Sequence, residues 1–270
     1  MDAGEQLEPS EEAGWISRLG SRSVELVAFI GSLLHFLGEA ARAARRGVPG
    51  SVLVAQVYEV GARSLPLTAV AAFAMGVVMA IQTMVLLKKF GVVQYAAVGV
   101  GLGLTRELAP VVTALMVAGR AGSGISAELG SMKVTRQIDA LRVLAVDPSR
   151  YLAATRILAC LIAVPLLTAL SDFIGIFGGL VVTTTLGGVP VPAYIDTTLY
   201  YVTVGDVLSG IAKSAFFGLI IGTVAAHYGF QTSGGTTGVG RATTATVVVS
   251  SLMIFVSDVI LTQILMTMGF

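Results

Sequence analysis

Five apolar stretches of membrane-spanning length constrain the fold of this chain more than any other feature. They lie at about residues 65–87, 96–117, 151–186, 207–228 and 245–268. A helix needs ~20 apolar residues to cross the hydrocarbon core of a bilayer, and no stretch shows the ~10-residue segments of alternating polarity that build outer-membrane barrels. Only 12% of the residues are charged, against about 25% in soluble domains. We therefore predict an all-α integral membrane protein with about five transmembrane helices.

The chain before the first stretch divides into two parts. Residues 1–14 are acidic and polar, lack the basic and then apolar pattern of a signal peptide, and are predicted to be disordered. Residues 15–50 mix apolar with charged side chains, and their apolar centre is short and interrupted. This pattern favours an amphipathic helix lying in the membrane interface, with a tilted additional span as the alternative. Residues 51–270 then form one membrane domain.

The connection between the second and third stretches is amphipathic. Its apolar residues recur at roughly every three to four positions: Ile125, Leu129, Met132, Ile138, Leu141 and Leu144. Charged residues lie mostly between them: Glu128, Lys133, Arg136, Asp139 and Arg142. This spacing gives a helix one apolar and one charged face. Asp147-Pro148 follows as a helix stop and restart, so the next helix should begin near Ser149.

The distribution of lysine and arginine predicts the orientation in the membrane. Most of them lie in the N-terminal segment and in the connection 119–156, whereas 187–206 has none. We therefore expect a cytoplasmic N-terminus, a cytoplasmic amphipathic helix and an external loop at 187–206, although Lys88-Lys89 falls on the external side. The third stretch should be one long, broken element, with Pro165, Gly175, Gly178 and Gly179 marking the bends, and 231–244 should be a Gly/Thr-rich turn.

Charged residues within the apolar stretches are functional candidates, because a charge at membrane depth is costly unless it is paired or faces a cavity. The candidates are Arg106, Glu107, Lys213 and Asp258, with Asp172 as a weaker fifth. Together they could line a polar cavity for a headgroup. The alternative is structural pairing between helices, such as Lys213 with Asp258, and the two interpretations are compatible.

Several classes of function lack support in the sequence. A net charge of +1 and the absence of a basic patch argue against nucleic-acid binding. His35 and His227 lack metal-ligand spacing, and the single cysteine, Cys160, is expected to pack in the core. The segment 235–242 resembles a phosphate-binding loop only superficially, because Arg241 and Ala242 replace the Lys and Ser/Thr. No catalytic site, metal site or nucleotide hydrolysis is expected in this chain.

The chain also resembles a known family. The segments that carry the resemblance are RELAPVVTALMVAGRAGSGISAELGSMKVTRQIDALRVLAVDP, PLLT, KSAFFG, TTGVGRATTATVV and SDVILT. They are similar to the MlaE (YrbE) family of ABC-transporter permeases. The resemblance covers about residues 50 to 270, so that 51–270 would be an MlaE-type permease domain.

The resemblance implies a homodimeric permease in the inner membrane of a diderm bacterium, moving phospholipids between the inner and outer membranes. Two cytoplasmic ATPase subunits would supply ATP and Mg²⁺ chemistry, and a periplasmic ring of MCE-domain proteins would adjoin the permease; this chain would bind no cofactor itself. The sequence leaves the direction of transport open. It also leaves open another lipid, such as a sterol, and a membrane scaffold that docks partners without transporting.

The resemblance also suggests roles for the residues singled out above. The segment 126–144 would be the coupling helix that sits in a groove of the ATPase, through Glu128, Met132, Lys133, Arg136, Asp139 and Arg142. Arg106, Glu107, Lys213 and Asp258 would face the lipid path. A secondary transporter would call for inverted repeats, and the sequence shows no repeat.

Overall fold

The computed structural model describes residues 11–267, and side chains from Val24 onward except Leu26. Every regular element in this range is helical, and six helical segments are long and apolar enough to cross a membrane. The prediction of an all-α membrane protein is confirmed, with a sixth candidate span at Val27–Arg45. That segment belongs to the helix predicted to lie in the interface, and its length and composition also permit the tilted span held as the alternative.

The helices are, in chain order, α1 (Glu11–Arg45), α2 (Gly50–Val60), α3 (Leu65–Lys88), α4 (Ala96–Gly103), α5 (Ala109–Val117), α6 (Ser123–Val134), α7 (Gln137–Val143), α8 (Ala154–Thr185), α9 (Val191–Tyr201), α10 (Val204–Gln231) and α11 (Gly235–Thr267). Three π-helical turns join them, at Leu104–Leu108, Ala118–Gly122 and Ser149–Ala153. A short 3-10 turn, Val93–Tyr95, precedes α4.

Helix α1 packs along α10. Of the predicted disordered segment 1–14, residues 1–10 lie outside the described range, and α1 already includes 11–14. Leu33 is buried against Ile220 and Val224 of α10, and the Phe36 ring meets His227 edge-on at a centroid distance of 5.5 Å. The N-terminal helix is therefore held to the membrane domain by apolar and aromatic contacts.

The second membrane element is much longer than the predicted span 96–117. It runs as 42 residues from Val93 to Val134, because α4, α5 and α6 continue one another through two π turns. The single amphipathic helix predicted beyond it is wrong. Arg136 adopts a left-handed backbone with φ 59°, which ends α6 and starts a separate short helix, α7. Ile125 and Leu129 are buried in the main core cluster, so their apolar spacing reflects packing within the bundle.

The third element begins at Ser149, as predicted, and runs for 37 residues to Thr185. The prediction that it is broken is wrong, because Pro165, Gly175, Gly178 and Gly179 all lie inside the continuous helix α8. A helix of this length is about 55 Å long, so α7 and α9 lie at opposite ends of the bundle.

Two segments predicted as irregular are partly helical. The expected external loop 187–206 contains α9, because Tyr194 is buried there and its hydroxyl donates a hydrogen bond of 3.2 Å to the Ile176 carbonyl. This burial raises the pKa of the Tyr194 phenol. The expected turn 231–244 ends early, since α11 begins at Gly235.

The bundle centre is built by close approach of α3, α8 and α10. A Cβ added at Gly76 of α3 would overlap the carbonyl oxygen of Gly175 in α8. A Cβ at Gly218 of α10 would lie 2.5 Å from the Cys160 carbonyl oxygen, and one at Gly222 would lie 2.7 Å from the Ile157 Cα. These glycines let the helix backbones touch. In a lipid bilayer the hydrophobic effect does not drive helices together, so close van der Waals packing of this kind stabilises the bundle.

Candidate functional site

Lys213 is the centre of a cluster of charges between three helical segments. Its side chain is buried on α10, and its Nζ donates hydrogen bonds to Glu107 Oε2 at 2.9 Å, to the Arg106 carbonyl at 3.0 Å and to Thr262 Oγ1 at 2.6 Å. Asp258 Oδ1 of α11 lies 3.3 Å from the same Nζ. One buried cation is thus balanced by two carboxylates from different segments, as a charge at membrane depth requires.

A π turn and a proline in the second membrane element leave one backbone carbonyl available to this cluster. Arg106 and Glu107 lie in the π turn Leu104–Leu108, and Pro110 follows at the start of α5. Pro110 has no N–H to donate to the Arg106 carbonyl four residues earlier. That carbonyl is free to accept from Lys213 instead. Pro110 therefore leaves the Arg106 carbonyl without a helical donor, and the Lys213 ammonium group of α10 binds it.

Arg106 forms a second ion pair on the same side of the bundle. Its Nη2 lies 2.5 Å from Asp206 Oδ1, and its Nε donates to the same oxygen at 2.6 Å. Asp206 is buried, and with Thr203 it forms a capping box at the start of α10. The sequence interpretation missed Asp206 and Thr262. The pattern Thr203-x-x-Asp206 before an apolar run was the available signal for the first, and the four-residue spacing from Asp258 was the signal for the second.

The four predicted lipid-path residues, Arg106, Glu107, Lys213 and Asp258, therefore meet at one place. Within the described part of the chain, Lys213 pairs with Glu107 and with Asp258, the pair of the alternative interpretation, and it donates to the backbone carbonyl of Arg106. The cavity beside them has a volume of about 20 Å³, which is room for about one water molecule. The Arg106 and Glu107 side chains remain 41% and 39% exposed, so the cluster also presents charge to the outside of this chain.

Asp172 does not join this cluster. It is 3% exposed on α8, and both carboxylate oxygens are buried without a hydrogen-bond partner in the described part of the protein. Among the described residues, no three His, Cys, Asp or Glu side chains gather in a way that could hold a metal ion. Asp172 is therefore an isolated polar group in an apolar setting, which is costly to bury.

We expect Asp172→Asn to raise the thermal stability of the purified protein at alkaline pH. The amide has nearly the same shape as the carboxylate but carries no charge to desolvate, and burying an uncompensated charge is the larger cost. The measurement is Tm in detergent, with Asp196→Asn on α9 as the control for the same chemical change in another helix. A lower Tm for Asp172→Asn would show that the carboxylate has a stabilising partner.

The predicted coupling residues gather around the break between α6 and α7. Asp139 lies 3.7 Å from Lys133 Nζ and 3.2 Å from Arg142 Nη1, while Arg136 is exposed at the break itself. Met132 is partly buried against the main core. Two apolar side chains, Val143 and Leu144, are 87% and 72% exposed at the end of α7. We call the segment 133–144 the tip.

Glu128 differs from the other predicted coupling residues. Its carboxylate Oε1 accepts a hydrogen bond of 2.7 Å from Nη2 of Arg156, a buried residue of α8. The sequence interpretation did not single out Arg156. Its position about two turns beyond the predicted start of the third element at Ser149 was the available signal, because a charge there enters the packed part of the bundle.

Arg120, a second arginine that the sequence interpretation did not single out, anchors the start of α3. Arg120, in the π turn Ala118–Gly122, donates to the Glu59 carbonyl at 2.8 Å and to Ser64 Oγ at 2.9 Å. Its Nη2 also lies 3.2 Å from Glu59 Oε1. The turn between α2 and α3 is therefore tied to the middle of the second membrane element.

Comparison with known proteins agrees with these features. The family described as Permease MlaE matches residues 53–264. A probable ABC transporter permease protein of Rickettsia felis is 37% identical over 247 residues, covering 91% of this chain and 95% of the relative. The intermembrane phospholipid transport system permease protein MlaE of Haemophilus influenzae is 37% identical over 219 residues, covering 81% and 84%. The chloroplastic protein TRIGALACTOSYLDIACYLGLYCEROL 1 of Arabidopsis thaliana is 34% identical over 208 residues, covering 77% and 59%.

The match spans the membrane domain from α2 to α11 and includes both the charge cluster and the tip. The six helical segments capable of crossing a membrane make the chain a multi-pass membrane protein. The chain belongs to the MlaE permease family.

Proposed function

We propose that this protein is the permease subunit of an ABC transporter that moves phospholipids between the inner and outer membranes. It would lie in the inner membrane as a homodimer, with its N-terminus in the cytoplasm. Separate ATPase subunits would bind ATP and Mg²⁺, and a periplasmic ring of MCE-domain proteins would exchange lipid with it. The observation that carries this proposal is the similarity to a phospholipid transport permease of H. influenzae along 84% of that protein.

The tip supports the ATPase part of the proposal. Val143 and Leu144 are exposed beside Arg142 and Arg136, and exposed apolar side chains rimmed by charges are typical of protein interaction sites. The tip lies at the end of the bundle opposite α9, so an ATPase bound there would leave the other end free for a periplasmic partner.

The charge cluster supports the lipid part of the proposal. Lys213 and Asp258 form an ion pair with each other inside the chain, but Arg106 and Glu107 are partly exposed and carry opposite charges. A zwitterionic or anionic headgroup could pair with such groups. Because the cavity beside the charge cluster is only about 20 Å³, the headgroup space at these residues would be formed between two copies of the chain.

The test is reconstitution of the purified complex with its ATPase subunits between donor and acceptor vesicles. We expect labelled phospholipid to be transferred only with ATP and Mg²⁺, with transfer measured in both directions. Transfer of a labelled sterol at an equal rate would favour the broader lipid permease. An assembled complex that hydrolyses ATP without moving any lipid would favour the scaffold.

The tip gives a sharper prediction. We expect Arg136→Glu with Arg142→Glu to lower ATPase stimulation by the permease about fivefold or more, which is the lower range of coupling between distant sites, without loss of the folded protein. Both side chains are exposed and lie outside the core. The measurement is ATP hydrolysis by the reconstituted complex, together with retention of the ATPase on affinity-purified permease.

The control is Lys88→Glu with Lys89→Glu, which makes the same double change of charge on two exposed residues at the far end of α3. It should leave ATPase stimulation unchanged. Equal losses in the control and in the tip variant would mean that general charge, rather than contact at the tip, governs the coupling.

A further inference from the structure

Arg156 is a buried arginine, and its charge needs a carboxylate partner nearby. It lies on α8 just after the π turn Ser149–Ala153 and is 3% exposed. Its Nη1 donates to the Leu152 carbonyl at 3.1 Å, and its Nε is buried without a partner. Glu128 Oε1, 2.7 Å from Nη2, is the carboxylate that balances its charge in the described part of the protein. A buried guanidinium that loses its partner is strongly destabilising.

The Glu128 side chain is 53% exposed, and its carboxylate reaches from the helix that leads to the tip to the buried Arg156. Glu128 lies on α6, two turns before the break at Arg136. On another side, α6 is in close contact with the end of α10: a Cβ at Gly229 would lie 2.6 Å from the Leu129 Cβ, and one at Gly130 would lie 2.8 Å from Thr232 Oγ1. Helix α6 is therefore fastened to α8 by an ion pair and to α10 by backbone-level packing.

These two attachments differ in what they can transmit. Packed apolar helices can slide past each other by small amounts. The charge-assisted hydrogen bond between Glu128 and Arg156 is directional, and separating it would strand a buried charge. A displacement of the tip would thus move α8 before it broke this pair.

We propose that Glu128 is a positioning residue that transmits displacement of the tip to α8 through Arg156, and that it is not a contact of the ATPase. This inference rests on the proposed function as an ATP-driven permease. It assigns different roles to residues on one charged face: the tip residues bind the ATPase, and Glu128 carries the motion into the membrane domain. Helix α8 is the element to move, because it packs against both α3 and α10 at the glycine contacts.

The test uses the complete complex with Glu128→Gln, which preserves the shape of the side chain and removes its charge. We expect ATPase retention on the purified permease to stay within about twofold of wild type, and phospholipid transferred per ATP hydrolysed to fall at least about fivefold. The control is Glu39→Gln, the same change at an exposed glutamate of α1, which should leave both quantities unchanged. If Glu128→Gln lowers the folded yield, Glu128→Asp keeps the charge but shortens the side chain by one methylene, and the same loss of lipid per ATP is expected.

Two outcomes would overturn the inference. Loss of ATPase retention in a folded Glu128→Gln or Glu128→Asp protein would make Glu128 an ATPase contact after all. Unchanged lipid transfer per ATP in these variants would make the Glu128–Arg156 pair a purely structural one. A wild-type complex that hydrolyses ATP and moves no phospholipid would instead contradict the proposed function, so the two failures are distinguishable.

Discussion

Lys213→Met should lower the free energy of unfolding by about 3–5 kcal/mol, the range observed when one partner of a buried ion pair is removed. The substitution keeps the apolar stem of the side chain but removes the ammonium group that binds Glu107, Asp258 and Thr262. The Arg106 carbonyl, which Pro110 leaves without a helical donor, would also lose its partner. The measurement is Tm and folded yield in detergent.

The matched control removes the stranded charges as well. The triple variant Lys213→Met with Glu107→Gln and Asp258→Asn should recover most of the lost stability, because no buried charge is left unpaired. A single variant as stable as wild type would contradict the buried cluster. The triple variant also separates the two interpretations of these residues: a folded protein without lipid transfer supports a lipid path, whereas wild-type transfer supports structural pairing alone.

Gly76→Ala is expected to destabilise the bundle by about 1–3 kcal/mol or more, the usual cost of overpacking. The added methyl group would overlap the carbonyl oxygen of Gly175. A backbone atom cannot change rotamer to make room, so α3 and α8 would have to separate along the contact. The measurement is Tm of the purified variant.

Two glycines in open surroundings provide the control. A Cβ at Gly119 or Gly124 would meet no atom within 4 Å, and alanine in a helix is favoured over glycine by about 1 kcal/mol. Gly119→Ala and Gly124→Ala should therefore be neutral or stabilising. If Gly76→Ala behaved like them, the close approach of α3 and α8 would be wrong.

The features that were predictable from the sequence follow from local rules. A run of apolar residues must form a helix in a bilayer because each backbone group needs a partner within the segment, so α3, α8, α10 and α11 could be predicted. Charged residues in such runs must find partners, and this rule alone singled out Lys213 and Asp258. Which partners they find depends on how the helices pack against one another, and the sequence of a single segment does not determine that packing.

The features that were missed depend on tertiary contacts. The start of α7 depends on one residue, Arg136, in a left-handed conformation, and arginine has no strong preference for it. Helix α9 is held by the burial of Tyr194, whose carbonyl acceptor lies in α8. The amphipathic spacing of Ile125 and Leu129 was real, but the apolar face that it creates turns toward α10 and α11 rather than toward a membrane surface or a partner.

Arg120 ties the second membrane element to the turn before α3, and it divides that element into two arms. The element is 42 residues long, or about 60 Å at the rise of an α-helix, roughly twice the thickness of the hydrocarbon core. Glu107 lies roughly 20 Å to one side of Arg120, and the break before α7 lies roughly the same distance to the other. A tilt about Arg120 would therefore move the two arms by nearly equal distances, so that each ångström of travel at the tip would become about one ångström in the opposite direction at the charge cluster.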